Sequence, residues 1–309
     1  MIPHVQFDQV SRHFGKVRAL SLASFTVQPG SITALLGPNG VGKSTALKMC
    51  ANLLRPTSGE VRVLGKKSTQ LGPQDFQRLG YVAEGMDLPL WMTVERYLGW
   101  CRPLYPKWDG ELEKKLLEEF CLPMDRKLKH LSRGERMKAA LVSSLSYRPE
   151  LLLLDEPFSG LDPLVRDQFL GGILELAGQE GWSVLISSHD LAEIDTLTDQ
   201  VLFLQQGKIV LDEASESLIA RHRQVRLMLP DDRMALPEMP RNWINVSRSG
   251  RVLHFTDMAF EAELPQRVAH VLPGAEVLEI TPMRLRDIFI AIAKSTKVRV
   301  AQPQPAVQP

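Results

Sequence analysis

Residues 37–45 read Gly-Pro-Asn-Gly-Val-Gly-Lys-Ser-Thr, and the residue types in that run suit the cradling of phosphate. Gly37, Gly40 and Gly42 let the backbone curl so that several N–H groups point inward at anionic oxygens, with Pro38, Asn39 and Val41 completing the loop. Lys43 brings a point charge to terminal phosphates, and Ser44 offers a hydroxyl oxygen to Mg2+. Thr45 opens a helical pattern running to Leu54, whose positive N-terminal end adds to the pull on an anion. The bland alternative is a Gly-rich turn with an exposed lysine. With Gly at about 7% of average residues, a chance match to G-x-x-x-x-G-K-[ST] in a chain this long is on the order of one in a hundred. The apolar run Ser31–Leu36 before the loop lowers that further, because strand, loop and helix form the order such a loop requires. The loop implies nucleotide binding.

Further along, Leu151-Leu152-Leu153-Leu154 runs into Asp155-Glu156-Pro157. A buried strand ending in two acids places them at the carboxyl edge of a sheet, where open α/β folds bind ligands. Asp155 suits the Mg2+ site through water, and Glu156 suits a general base for an attacking water. Alone, the pair would as readily be two solvated acids ending a strand. A phosphate loop upstream in the same chain weighs against that.

The elements that must hold these residues can be read coarsely. Residues 2–30 alternate apolar and polar types with a turn at Pro29-Gly30, which predicts antiparallel strands with one wet face. Residues 94–130 are rich in Glu, Lys and Leu and read as helices, clearest in Glu111–Phe120. Leu151–Leu154 and Ser183–Ile186 are short buried strands of a parallel sheet, with helices over 134–147 and 163–179. Val201–Leu204 and Lys208–Leu211 flank Gln205-Gln206-Gly207, a hairpin signal. Beyond residue 213 the pattern changes to strand-like runs at Val225–Leu229, Val252–Phe255 and Ala275–Ile280 and a closing amphipathic helix, Leu285–Lys294. The expected organisation is a domain over 1–213 with a helical part about 90–145, a small α+β domain over 214–298, and a Pro- and Gln-rich disordered tail over 299–309.

Composition narrows the partners. The 309 residues are 44% hydrophobic and 24% charged, ordinary for a globular protein able to bury a core without disulfides or metals. Thirty-seven Lys and Arg against 36 Asp and Glu leave a net charge of +1, without the basic excess of a protein that coats nucleic acid. Cys50, Cys101 and Cys121 are too scattered for a disulfide framework or metal knuckle and read as small core residues of a reducing compartment. No apolar run approaches the roughly 20 residues that span a bilayer, and the N-terminus lacks a signal-like stretch. The expectation is a cytoplasmic chain that reaches a membrane only through a partner.

These residues converge on a family: the chain resembles the nucleotide-binding subunits of ABC transporters. Leu131-Ser132-Arg133-Gly134-Glu135 looks like the family's signature, whose usual form is Leu-Ser-Gly-Gly-Gln. Ser159-Gly160-Leu161-Asp162 looks like its D-loop, His189 after Ser183–Ser188 matches its switch histidine, and Phe14 sits where an aromatic residue stacks on adenine. A lone Ser-Arg-Gly-Glu could simply start a helix, and a lone His is more often structural. Five motifs in the family's order and spacing over residues 2–213 make coincidence untenable.

The resemblance implies a P-loop α/β cassette with a mainly parallel sheet, an antiparallel β subdomain and a helical signature subdomain. It implies ATP and Mg2+ as cofactors, a second cassette packed head to tail, and integral membrane permease subunits, with the chain peripheral on the inner face of the membrane. Ser132, Arg133, Gly134 and Glu135 would then act in trans on the partner's nucleotide, and Asp162 would cross the same interface. Two departures stand out. Glu84 occupies the place of a Gln that touches Mg2+, and Arg133 and Glu135 replace Gly and Gln in the signature. Glu84 can still ligate Mg2+, and Glu156 and His189 are both present, so a competent ATPase with altered coupling or rate is expected. The Trp-rich stretch Trp91–Asp109 and the closing Thr281–Phe289 resemble exporter-type cassettes encoded apart from their membrane subunits, with an importer as the alternative direction. A ribosome- or nucleic-acid-directed cassette is the rival class. It would usually carry two cassettes or a long coiled coil, neither of which this sequence contains.

Overall fold

The computed structural model describes residues 2–157, 163–189 and 198–301, with the backbone alone for 163–170, 293 and 295–301. The chain divides into two compact units, residues 1–212 and 213–309.

In the first unit, β1 (Val5–Phe14) and β2 (Val17–Val27) form a long antiparallel pair, joined by β4 (Ser58–Val63) and the short β5 (Lys66–Lys67) in the order β2-β1-β4-β5. Alternation along these strands buries Val5, Phe7, Val10, Leu20 and Phe25, and Phe7 stacks on Phe25 with ring centroids 4.3 Å apart. A second sheet runs β10-β9-β3-β8-β7-β6. Its strands are β3 (Ile32–Leu36), β6 (Leu79–Ala83), β7 (Leu151–Asp155), β8 (Ser183–Ser188), β9 (Gln200–Gln205) and β10 (Lys208–Ala214). β9, β3, β8, β7 and β6 pair in parallel. β3, β7 and β8 are buried at every position, which is why they read as unbroken apolar or small runs rather than alternating ones. Gln206 and Gly207 link β9 to β10 with φ of +49° and +76°, the twin left-handed pair that a tight hairpin demands.

Helices α1 (Lys43–Cys50) and α2 (Pro73–Phe76) precede a helical segment of α3 (Val94–Cys101), α4 (Gly110–Phe120) and α5 (Arg133–Leu145), and α6 (Pro163–Glu180) follows β7. Each helix of the segment starts on a side-chain cap: Thr93 accepts from the Arg96 N–H, Asp109 from those of Glu111 and Leu112, and Ser132 from that of Glu135. Inside α4, Glu113 is buried and accepts from the Arg102 guanidinium at 3.0 and 2.6 Å and from the Trp108 indole at 2.7 Å. The Trp-rich stretch therefore divides. Trp108 is tied into the helical segment, whereas Trp91 and Trp100 are 68% and 60% exposed.

In the second unit, α7 (Ser215–Arg221) leads into an antiparallel sheet ordered β12-β13-β11-β14, made of β11 (Arg223–Met228), β12 (Trp243–Ser249), β13 (Val252–Asp257) and β14 (Glu276–Pro282). Helices α8 (Leu264–Val271) and α9 (Leu285–Ala301) complete it. Val225, Leu227, Leu253, Leu264 and Val268 pack around Trp243 stacked on Phe255. The closing helix runs past Lys294 to Ala301 and takes in residues 299–301, which composition had assigned to the tail. Its apolar i, i+3, i+4 pattern ends at Ile292, but nothing breaks a helix before Pro303.

Burial pushes the Glu113 carboxyl up, but the bonds from Arg102 and Trp108 outweigh burial and leave it below its ordinary value of 4.5. A depressed folded value means the stabilisation is complete above the unfolded value and drains away as pH falls through the folded one. Glu113→Gln should cost about 1–3 kcal/mol at pH 7. It should also flatten the fall in stability on acidification below pH 4.5, as read by urea unfolding from pH 7 to pH 3.5. An acid limb as steep as the parent's would count against this role for Glu113.

Candidate nucleotide site

The site begins with a loop that only glycine could build. A Cβ on Gly37 would lie 2.3 Å from the Leu204 carbonyl oxygen, and one on Gly42 would lie 2.2 Å from that of Ala19. The loop is thus pressed between the backbones of β9 and β2, with Gly42 at φ +114° and Gly40 at φ +77°. Helix α1 starts at Lys43 without a side-chain cap, and the first turn of a helix carries N–H groups that suit an anion. Lys43 is buried, and its ammonium donates to the Gly37 and Pro38 carbonyls at 2.7 and 3.1 Å.

The acids meet this loop from β7. Asp155 is buried and accepts from Ser44 at 2.9 Å and from Ser187 at 2.7 Å. Glu156 takes φ +47°, a conformation costly for a side-chain-bearing residue, and its N–H is held by the Ser187 hydroxyl at 3.0 Å. That twist turns its carboxylate toward the loop, where Oε1 lies 2.9 Å from Lys43 Nζ and Oε2 lies 2.5 Å from His189 Nδ1. Phe14, Asn39, Gly40, Gly42, Lys43, Ser44, Thr45, Glu84, Glu156 and His189 all line one cleft of about 440 Å³. Phe14 is 44% exposed at its rim, and the Arg12 guanidinium covers one ring face at 4.6 Å.

The donor chemistry fits the implied cofactors. Ser44 and Asp155 place a hydroxyl and a carboxylate beside each other, an oxygen set suited to Mg2+ that also takes phosphate and water ligands. A helix start without a side-chain cap and a buried ammonium suit phosphate oxygens.

The signature residues stand apart from the cleft at the start of α5. Ser132 and Glu135 form a reciprocal cap, the Ser132 N–H donating to Glu135 at 2.7 Å and the Glu135 N–H to the Ser132 hydroxyl at 3.2 Å. The hydrogen bond from the Ser132 N–H holds the Glu135 carboxyl below its ordinary value. Gly134 lies in the first turn between them. Arg133 reaches an ion pair with Glu84, joining both departures from the family pattern. Asp162 lies outside the described residues. Sequence reasoning did not find Ser187, which binds both acids; its only sequence mark is a position two residues before His189.

Gly42→Ala should distort the loop by about 1–3 kcal/mol of backbone strain. That should weaken ATP binding by about ten- to a hundredfold, measured with a fluorescent nucleotide, while the circular dichroism spectrum stays unchanged. Undiminished affinity would contradict the packing of Gly42 on Ala19.

A family model described as "ABC transporter" matches residues 20–159, and one described as "AAA domain, putative AbiEii toxin, Type IV TA system" matches residues 125–195. The chain is 32% identical over 220 residues to the probable sulfate/thiosulfate import ATP-binding protein CysA of Chlorella vulgaris, covering 69% of this chain and 92% of that protein. It is 31% identical over 244 residues to the probable multidrug ABC transporter ATP-binding protein YbhF of Escherichia coli, covering 77% of this chain but 42% of that longer protein. A solved structure of an ATP-binding subunit of an ABC transporter superposes with a TM-score of 0.62 at 27% identity, covering 70% of this chain and 92% of that one. With a P-loop pressed between two strands, paired acids at the end of β7 and relatives of this kind, the chain belongs to the ATP-binding proteins of the ABC transporter family.

Proposed function

We propose that the chain hydrolyses ATP to drive movement of a substrate through separate membrane subunits, with export as the direction. The observation that carries the hydrolytic reading is the double hold on Glu156 by Lys43 and His189 at 2.9 and 2.5 Å. Mg2+ bound with ATP would neutralise charge on the transferred phosphoryl group. Ser44 and Asp155 would hold the metal, with Glu84 in reach of it. Lys43 would exchange Glu156 for the terminal phosphates, which leaves the Glu156 carboxylate free to accept a proton from the attacking water. His189, bonded to the other carboxylate oxygen, would fix that carboxylate's direction. Phe14 would offer the ring face opposite Arg12 for the adenine ring to stack on. A second cassette, packed head to tail, would bring Ser132 and Gly134 to the nucleotide, with Asp162 at the same interface.

A groove of about 380 Å³ runs past Tyr81, Met86, Tyr97, Trp100 and Leu104 in the first unit. Trp100 and Leu104 stay 60% and 51% exposed at its edge, an apolar rim suited to a short helix of a membrane subunit. Among the described residues no helix is long and apolar enough to cross a membrane, which accords with membrane subunits supplying the path. Export rests on the likeness of the closing segment Thr281–Phe289 to exporter-type cassettes, since the relatives' names include both a sulfate/thiosulfate import protein and a multidrug transporter. The relatives named as transport proteins speak against a ribosomal or nucleic-acid role, as does a net charge of +1.

Glu156→Gln should lower ATP turnover by about 10²- to 10⁴-fold while ATP still binds; turnover equal to the parent's would remove Glu156 from the mechanism. Trp100→Ala combined with Leu104→Asp should abolish co-purification of a polytopic membrane protein from detergent extracts, with turnover of the isolated chain unchanged. Retention of that partner by the double variant would place docking elsewhere. Accumulation of cargo inside inverted vesicles, rather than release from them, would support export.

A further inference from the structure

Glu84 and Arg133 carry opposite charges at two positions where the family resemblance has neutral residues, and the fold brings them into an ion pair. Neither partner is placed there by its own local structure. The Glu84 N–H donates to the Asp155 carbonyl at 2.9 Å, which pins its backbone to the acidic strand and leaves only the side chain to swing. Gly85, at φ +68° in a turn closed by the Met86 N–H on the Ala83 carbonyl, carries the chain away from that anchor. Glu84 also lines the nucleotide cleft with Ser44 and Lys43, so one carboxylate has two places to go.

Arg133 is the first residue of α5, at the positive end of the helix, where a cation is disfavoured unless an anion sits beside it. Glu135 does not serve as that anion. Its carboxylate caps the Ser132 N–H at 2.7 Å and faces Arg126 at 3.6 Å. Arg136, also on this turn, donates to the Leu131 carbonyl. Arg133 is left with Glu84. Both side chains remain partly exposed, 51% and 35%, so the pair is weak enough to exchange partners.

We propose that Arg133 competes with Mg2+ for Glu84, and that Glu84 passing to the metal releases Arg133 to the terminal phosphate of the nucleotide held by a facing cassette. A planar guanidinium at a helix N-terminus is well formed to bind phosphate. Each cassette would thereby report loading of its own site by freeing a cation for its neighbour's. The second half of this exchange rests on the head-to-tail pairing proposed above.

The test uses the full chain carrying Glu156→Gln, so that turnover does not intervene. ATP binding is titrated with Mg2+ on the monomer at high dilution, and ATP-driven dimerisation is followed by sedimentation velocity. Arg133→Gly should lower the Mg2+ midpoint by about two- to fivefold, the range expected when a competing exposed pair is lost. Arg133→Lys, which keeps the charge, should leave the midpoint near the parent's, and Arg133→Gly should have no effect once Glu84→Gln is also present. In dimerisation, Arg133→Gly should weaken the ATP-bound pair at least about tenfold, as loss of a charge-assisted hydrogen bond does. A Mg2+ midpoint unmoved by Arg133→Gly overturns the competition at Glu84. A dimer as tight as the parent's, or tighter, overturns the transfer of Arg133. Should Glu156→Gln itself stay monomeric with ATP and Mg2+, the paired-cassette reading fails, while the monomer titration still decides the competition at Glu84.

Discussion

At the end of β7 two carboxylates follow one another, Asp155 buried and Glu156 nearly so. Buried charge is expensive unless it is paired or hydrogen-bonded, and the neighbouring strands and loop supply the partners. Ser187 on β8 and Ser44 on α1 donate to Asp155. Lys43 and His189 take the two oxygens of Glu156. Two segments distant in sequence, the start of α1 and the end of β8, are thereby drawn to one strand end. The parallel register of β3, β8, β7 and β6 is what aligns their carboxyl ends on the same edge.

The phosphate loop depends on a different constraint, which is space. Gly37 lies against the carbonyl of Leu204 on β9, and Gly42 against that of Ala19 on β2. Gly207, in the β9–β10 hairpin, also packs close to Ala19 and Leu20, with its carbonyl accepting from the Ser21 N–H at 2.8 Å. The antiparallel β2 thus braces both the loop and the hairpin beside it. A loop held on both sides keeps its N–H groups aimed without spending binding energy to order them.

Much of this was legible in the residues. Loop glycines, the apolar run into Asp155-Glu156 and the order of the later motifs carry strong local chemistry, and short unbroken apolar runs are what strands buried on both faces must look like. β12 escaped notice because Asn, Ser and Arg interrupt Trp243–Ser249 and only Trp243 and Ile244 are buried. α8 escaped because Pro265 suggests a break, although proline is well tolerated in a first turn. Two-residue contacts across the fold left no trace at all. That Ser187 serves both acids, or that Glu84 meets Arg133, follows from strand register and helix placement rather than from spacing.

The Glu84–Arg133 pair also bears on how such a sequence can change over time. If either position reverted alone to its neutral family residue, the other would be left as an unmatched charge, a carboxylate at the metal cleft or a cation on a helix N-terminus. A change at one position therefore alters the charge balance at the other, by the modest amount expected of a partly exposed pair. Recombination that swaps the helical segment between relatives would break the match even where each parent works well. Chimaeras built at the boundary between β6 and α3 should respect that pairing before any other.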